Sequence, residues 1–392
     1  MGGERVTPRL FIASGIFHPE SGGPATYLYE LLPQLQQRGW DIQALAYGSG
    51  TVDAYPYPLR RIPRRALPLR LLDYARAARP LLAWADVAYI HTLGLPLVGR
   101  RVPRILKIVG DQAWERSVRK GWIAPTTDID AFQTTRYNLV VSAQQAARSR
   151  EVQGMDGVVV PSEYLKQMVV GWGVAQEKVH VIYNALPPEE TARGSNPLSS
   201  TSQSAVSQAT ARAELGLPDA PLLLTAARLT PWKGVNYLIT ALSRLPDVRL
   251  LVAGEGETRP ALEAQAGELG VAERVIFLGR VPRDRMSLYM KAADYLALYS
   301  GYEGLSHTLL ESLRAGTPVI ASDKGGNPEV VQHSVNGLLV PYVDIDALTQ
   351  VLRDAFEPGK RAALAANAQV GMERFDFASM VAQVDALLRG YC

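Results

Sequence analysis

The sequence predicts an α/β protein made of two doubly wound domains, each a mostly parallel sheet covered by helices. Three observations predict it. The chain has 392 residues, more than one ordinary core accommodates. Short apolar runs alternate with amphipathic helical patterns. The alternation stops in a stretch rich in Pro, Gly, Ser, Thr and Gln between Pro187 and Thr210, then restarts. Two such arrays are expected to face a cleft, with ligands outside the carboxyl ends of the strands.

The first array opens with the apolar run Leu10 to Phe17. After Gly22-Gly23-Pro24, residues Leu28, Leu31, Leu32 and Leu35 repeat with helical spacing, and Gly39 stops the helix. Further strands are expected at Ile42 to Tyr47, Val87 to Ile90, Ile105 to Val109, Val158 to Val160 and Val179 to Tyr183. Ser199-Ser200-Thr201-Ser202-Gln203-Ser204 cannot build a core and reads as a flexible loop or linker. The second array runs through Leu222 to Ala226, Leu250 to Ala253, Val275 to Leu278, Tyr295 to Leu298, Val319 to Ala321 and Leu338 to Val340.

Composition narrows the class. Hydrophobic residues make up 47% and charged residues 20%, the balance of a soluble globular protein. No run approaches the roughly 18 apolar residues of a membrane span, and Met1 to Pro8 shows no apolar signal core. The only cysteine is Cys392, so no disulfide forms within the chain, which suits a reducing, cytoplasmic setting. The net charge of +3 hides an asymmetry. Between Leu59 and Lys120 there are 14 Lys and Arg against 4 Asp and Glu, a local balance of +10 that leaves the remainder acidic by 7. Arg60, Arg61, Arg64, Arg65 and Arg70 alternate with Ile62, Leu67, Leu69, Leu71 and Leu72. That pattern suits an anionic membrane surface, such as the inner face of the plasma membrane, or a solvated arginine face. No aromatic-interleaved basic motif points to nucleic acid.

The chemistry concentrates in Tyr302-Glu303-Gly304-Leu305-Ser306-His307-Thr308-Leu309-Leu310-Glu311. One glutamate stands in a glycine loop, and a second lies in a helix that Leu309, Leu310 and Leu313 draw into a core. A buried carboxylate requires partners, and the paired hydroxyls of a sugar or ribose suit it. A helix start near Ser306 would direct N–H groups and a positive dipole end at a phosphate. Arg228 and Lys233 follow the first strand of the second array and suit a diphosphate clamp. Gly22-Gly23 allows close backbone approach to an anion, or is a tight turn. Asp128-Ile129-Asp130 and Asp344-Ile345-Asp346 invite a metal reading, but neither has the several converging oxygens that a hard cation needs. The first stands in a polar loop without further ligands, so no metal or other cofactor is expected.

These motifs together resemble glycosyltransferase family 4, a retaining, nucleotide-sugar-dependent family with the two-domain GT-B fold. The likeness runs through Gly22-Gly23, Pro161-Ser162-Glu163, Val181-Ile182-Tyr183-Asn184, Arg228 with Lys233-Gly234, Gly254-Glu255-Gly256 and Phe277-Leu278-Gly279. It continues through Ala293-Asp294, Ser300, the pair Glu303 and Glu311, Gly325-Gly326-Asn327-Pro328-Glu329 and Asn336-Gly337-Leu338-Leu339. The resemblance implies an acceptor-side domain over 1–186, a linker over 187–214, a nucleotide-sugar domain over 215–372, and a terminal segment 373–392 whose helix returns to the first domain. It implies that Arg228 and Lys233 hold the donor diphosphate, joined by backbone of Gly22 and Gly23. Glu303 would meet the transferred sugar, Glu311 the ribose, and Leu278-Gly279-Arg280 the base. Gly304, Leu305 and Ser306 would contribute helix-start amides.

One departure stands out. Many members carry a histidine before an aspartate where this chain has Gly110-Asp111. Asp111 then meets the donor sugar or acceptor hydroxyl, or caps the following turn. His91, Trp114 and Glu115 are weaker acceptor-site candidates. The expected activity is transfer of a hexose-type sugar from a nucleotide donor, UDP before GDP, to a saccharide or lipid-linked acceptor in glycan or cell-envelope polysaccharide synthesis. A GT-B phosphorylase or epimerase, and a silent sugar-nucleotide-binding protein, are the alternatives.

Overall fold

The computed structural model describes residues 7–20, 23–48, 55–188 and 206–392. Gly22 and most of the expected linker, residues 189–205, lie outside the described residues. Contacts divide the chain into two compact units. The first comprises Met1–Glu115, Arg136–Tyr183 and Phe377–Cys392, the second Arg116–Thr135 and Asn184–Asp376.

The first unit holds a seven-stranded parallel sheet of β1 (Arg9–Ser14), β2 (Asp41–Tyr47), β3 (Leu59–Ile62), β4 (Val87–Ile90), β5 (Arg104–Lys107), β6 (Gly157–Val160) and β7 (Val179–Val181), in the order β3-β2-β1-β4-β5-β6-β7. The central strands are buried along their length, as parallel strands covered on both faces must be. The helix Gly23–Gln37 presents Leu28, Leu31, Leu32 and Leu35 to the core. The helix Phe377–Arg389 also belongs here, burying Phe377, Met380, Val381, Val384 and Leu388. Trp40 Nε1 donates to Asp385 Oδ1 at 2.7 Å, fastening it.

The second unit holds a six-stranded parallel sheet of β8 (Leu222–Ala226), β9 (Arg249–Ala253), β10 (Val275–Gly279), β11 (Tyr295–Leu298), β12 (Val319–Ser322) and β13 (Gly337–Val340), in the order β10-β9-β8-β11-β12-β13. Its core gathers Leu223, Leu238, Ile239, Leu250, Val252, Tyr295 and Leu352. Asp294 accepts from Leu222 N at 2.8 Å and pairs with Arg212 at 2.9 Å, tying the start of β8 to the helix Gln208–Leu215.

Three features differ from the expectation. The helix Gln208–Leu215 occupies part of the stretch read as linker, started by Ser207 Oγ, which accepts from Thr210 N at 3.1 Å. β3 forms within the arginine-rich segment because it needs only one pairing partner, β2, at the sheet edge. Arg116–Thr135, expected in the first domain, groups with the second. Its Asp128 pairs with Lys324 at 3.1 Å.

Candidate active site

In the second sheet the strand order reverses between β8 and β11, so the loops leaving these two strands diverge and open a crevice. Arg228 and Lys233 follow β8, and Glu303 follows β11. Backbone bonds hold these loops closely. Leu229 N donates to Glu255 O at 2.9 Å, Gly301 N to Trp232 O at 2.8 Å, and Gly326 N to Glu303 O at 2.8 Å. Glycine is required at the closest approaches. Gly234 has φ +66°, and a Cβ there would lie 1.8 Å from Tyr299 O. Gly325 has φ +63°, and its Cβ would lie 2.3 Å from Glu303 O.

The loops bring Lys233 and Glu303 together. Lys233 Nζ donates to Glu303 Oε1 at 2.6 Å, an ion pair between residues 70 apart with both side chains less than 15% exposed. Arg228, on the same loop as Lys233, is exposed and makes no ion pair among the described residues. Ser306 is buried and caps the helix His307–Arg314, its Oγ accepting from Leu309 N at 3.3 Å. Glu311 sits half-buried on that helix, and its carboxylate has no hydrogen bond among the described residues. Desolvation raises its carboxyl above the ordinary value, against the opposing fields of Arg283 and Arg314. Gly279, in the left-handed region at φ +65°, accepts from Gly254 N at 2.7 Å. Leu278 is half-buried and Arg280 exposed beside it. Gly304 and Leu305 are buried in the loop leading to Ser306.

The remaining expected residues lie in the first unit. Gly23 opens the helix after β1, and a Cβ there would meet nothing within 4 Å. Asp111 takes the capping alternative rather than a sugar contact. It has no accessible surface, its Oδ1 accepts from Ala113 N at 2.9 Å and Trp114 N at 3.3 Å, and its Oδ2 pairs with Arg148. Arg148 in turn lies 4.0 Å over the Trp172 ring. Trp114 is 2% exposed and packs in the core, so it offers an acceptor no surface. Glu115 is half-buried on the same helix. His91, just past β4, is buried against Tyr89 and Tyr27, and its Nε2 has no hydrogen-bond partner among the described residues.

Sequence reasoning passed over Lys107, the last residue of β5. It is 5% exposed, its Nζ lies 4.1 Å from the centre of the Tyr27 ring, and among the described residues no hydrogen-bond acceptor meets it. Burial lowers its ammonium to about 7. The signal was a single cation inside Ile105-Leu106-Lys107-Ile108, a run otherwise apolar.

Both Asp-x-Asp triplets open helices. Asp128 Oδ1 accepts from Asp130 N at 2.8 Å and Ala131 N at 3.0 Å, and Asp344 Oδ1 from Ala347 N at 2.8 Å. Among the described residues, no three His, Cys, Asp or Glu side chains gather as a metal would require.

Known proteins resemble this chain. The family model described as Glycosyltransferase Family 4 matches residues 21–190, and that described as Glycosyl transferases group 1 matches residues 207–370. The chain belongs to glycosyltransferase family 4. A D-inositol 3-phosphate glycosyltransferase of Xylanimonas cellulosilytica is 28% identical to this glycosyltransferase over 397 residues, covering 91% of this chain and 88% of the relative. Sucrose-phosphate synthase from Thermosynechococcus elongatus superposes with a TM-score of 0.77 at 21% identity, over 98% of this chain and 99% of that one. Anabaena HepE, solved in complex with UDP-glucose, gives a TM-score of 0.73 at 22% identity, over 98% and 99% of the two chains. The glycosyltransferase therefore has the GT-B fold, with two parallel-sheet Rossmann-like domains. No helix among the described residues is long and apolar enough to cross a membrane.

Proposed function

We propose that this glycosyltransferase moves a hexose-type sugar from a nucleotide-sugar donor to a saccharide or lipid-linked acceptor, keeping the anomeric configuration, in glycan or cell-envelope polysaccharide synthesis. One observation carries the reading: Lys233 and Glu303 meet at 2.6 Å at the switch point of the second sheet, with Arg228 on the same loop. A donor's diphosphate would draw Lys233 away from Glu303 and leave that carboxylate to accept from sugar hydroxyls. Arg228 and Lys233 would then neutralise the charge that grows on the diphosphate as the bond from the anomeric carbon breaks. Donors aimed at growing charge are usually the largest catalytic contribution. Retention follows if the acceptor hydroxyl attacks from the leaving-group face and passes its proton to the departing phosphate, so no protein nucleophile is invoked. Two cations meeting the diphosphate leave no step that calls for a metal.

The Glu311 carboxylate, desolvated and without a hydrogen bond among the described residues, suits the ribose diol. UDP is the first choice of donor nucleotide, supported by the UDP-glucose complex of HepE, and GDP the second. A thermal-shift series with UDP-, GDP- and ADP-sugars tests the reading. A UDP-sugar should raise the melting temperature of the parent, and Glu311→Gln should remove most of that rise. Because the folded-state carboxyl titrates above its unfolded value, ionised Glu311 costs stability once the pH exceeds the unfolded value of 4.5. The ligand-free Gln variant should therefore melt no lower than the parent at pH 7. No shift with any of the three donors, or an undiminished shift in the variant, refutes the assignment.

A membrane role draws on a second observation. Leu67, Leu69 and Leu72 are 56%, 53% and 46% exposed, beside Arg60. Four of the five arginines singled out in the sequence hold protein partners instead: Arg61 donates to His18 O, Arg64 pairs with Glu20, Arg65 pairs with Asp73 at 3.6 Å, and Arg70 lies 5.1 Å over the Tyr47 ring. The leucines, with Arg60, are thus the residues to test. Replacing Leu67, Leu69, Leu72 and Arg60 by Ser should reduce co-sedimentation with phosphatidylserine-rich vesicles about tenfold or more, since a cation near such a surface contributes about 1 kcal/mol and apolar insertion adds to it. Equal sedimentation of parent and variant removes the membrane role.

A further inference from the structure

The first unit carries a buried polar cluster for which neither the fold nor the donor chemistry accounts. Its members come from three elements: Tyr27 from the helix Gly23–Gln37, Tyr89 and His91 from the end of β4, and Lys107 from the end of β5. β4 and β5 pair in register, Tyr89 beside Ile105 and Ile90 beside Leu106. The next step along each strand brings His91 level with Lys107, and the two-residue period puts Tyr89, His91, Ile105 and Lys107 on one face. Tyr27 lies over that face. Its ring centre is 4.1 Å from Lys107 Nζ and 5.6 Å from the His91 ring, and its hydroxyl is 3.3 Å from that of Tyr89.

Within this cluster, Lys107 Nζ and His91 Nε2 are both buried, and among the described residues neither has a hydrogen-bond partner. A buried ammonium with only a π-face for company is costly. Burial lowers both groups, and the charge of Lys107 lowers His91 further. Among the described residues, no carboxylate pairs with either. The cluster therefore holds two nitrogens and no anion, an arrangement that an oxyanion would complete. Its place agrees. The first sheet reverses its strand order between β1 and β4, and His91 and Lys107 stand at the carboxyl ends of β4 and of its neighbour β5, where open parallel sheets take their ligands.

We infer that Lys107 and His91 form a subsite for an oxyanion, phosphate or carboxylate, borne by an acidic acceptor of the glycosyl transfer. The inference rests on the proposed transfer reaction and adds to it the chemical class of the acceptor. Lys107 supplies a point charge and His91 a second nitrogen for the same group, while Tyr27 and Tyr89 wall the site and hold the ammonium in place. Acceptors without an acidic group leave Lys107 unpaired.

The test uses the full chain. In thermal melts, inorganic phosphate or acetate, compared with chloride at matched ionic strength, should raise the parent's midpoint by about 2–4 °C. A shift with phosphate alone assigns the subsite to phosphate-bearing acceptors, and one with acetate alone to uronate-type acceptors. Lys107→Met should abolish the shift and melt higher than the parent in chloride, having lost an unpaired buried cation. In transfer assays it should raise KM for a sugar phosphate or uronate acceptor at least tenfold, with kcat changed less. If Lys107→Met does not fold, His91→Gln provides the same comparison and should at least halve the shift. No oxyanion shift in the parent, or an equal shift in the variants, overturns the subsite. The UDP-sugar shift of the second unit is the separating control. If it is present while the oxyanion shift is absent, only the subsite falls; if it is absent, the transfer reading itself fails.

Discussion

Arg228→Ala is expected to lower kcat by about 10²–10³ while the protein keeps its melting temperature. The side chain is exposed and makes no ion pair among the described residues, so the folded state loses little with it. Its position is what matters. It leaves β8 on the loop that carries Lys233, at the point where the sheet opens. A guanidinium there can donate two parallel hydrogen bonds to a diphosphate, which a lysine cannot. Lys233 differs because it is paired with Glu303 at 2.6 Å, and its removal would leave a carboxylate alone in a largely buried place. Arg228 is therefore the cleaner probe of charge on the leaving group. Measuring nucleoside diphosphate release at saturating donor and acceptor, beside a thermal melt, gives both quantities. Turnover within threefold of the parent removes Arg228 from the mechanism.

Gly234→Ala is expected to cost about 4 kcal/mol or more of folding stability, at the extreme of single substitutions. Two penalties combine. The left-handed backbone at φ +66° disfavours any Cβ by about 1–2 kcal/mol. The new atom would also fall 1.8 Å from Tyr299 O, which is backbone and cannot rotate away. Gly216→Ala separates the two, because Gly216 has φ +63° but nothing within 4 Å of its Cβ position. That variant should lose only about 1 kcal/mol. Urea unfolding of both variants checks the difference. Equal losses would mean that the loop relaxes around the new methyl group. The position bears on activity as well, since any such relaxation moves Lys233, its immediate neighbour.

The sequence made most of the architecture legible because both sheets are parallel and covered. Their strands then read as continuous apolar runs, as in Val87–Ile90 and Leu222–Ala226. β3 escaped notice for the converse reason. An edge strand satisfies one neighbour only, and the adjacent arginines of Leu59-Arg60-Arg61-Ile62 interrupt the apolar run by which the other strands were read. The Lys233–Glu303 pair was legible as two residues on loops of one sheet, though no spacing in the sequence states that they touch. Asp111 shows the limit of local reading. A capping aspartate and a sugar-binding aspartate look alike until the partner is known, and that partner, Arg148, is 37 residues away. Lys107 was invisible because a lysine ending a strand ordinarily extends to solvent; only the packing of Tyr27 over it reveals confinement.

The helix Phe377–Arg389 belongs to the first unit although all of Asn184–Asp376 belongs to the second. A ribosome therefore delivers every residue of the second sheet before this last segment of the first unit exists. Until then Trp40 lacks Asp385, and the apolar surface awaiting Met380, Val381 and Val384 stays bare. In the order of synthesis, the half built first is the half completed last.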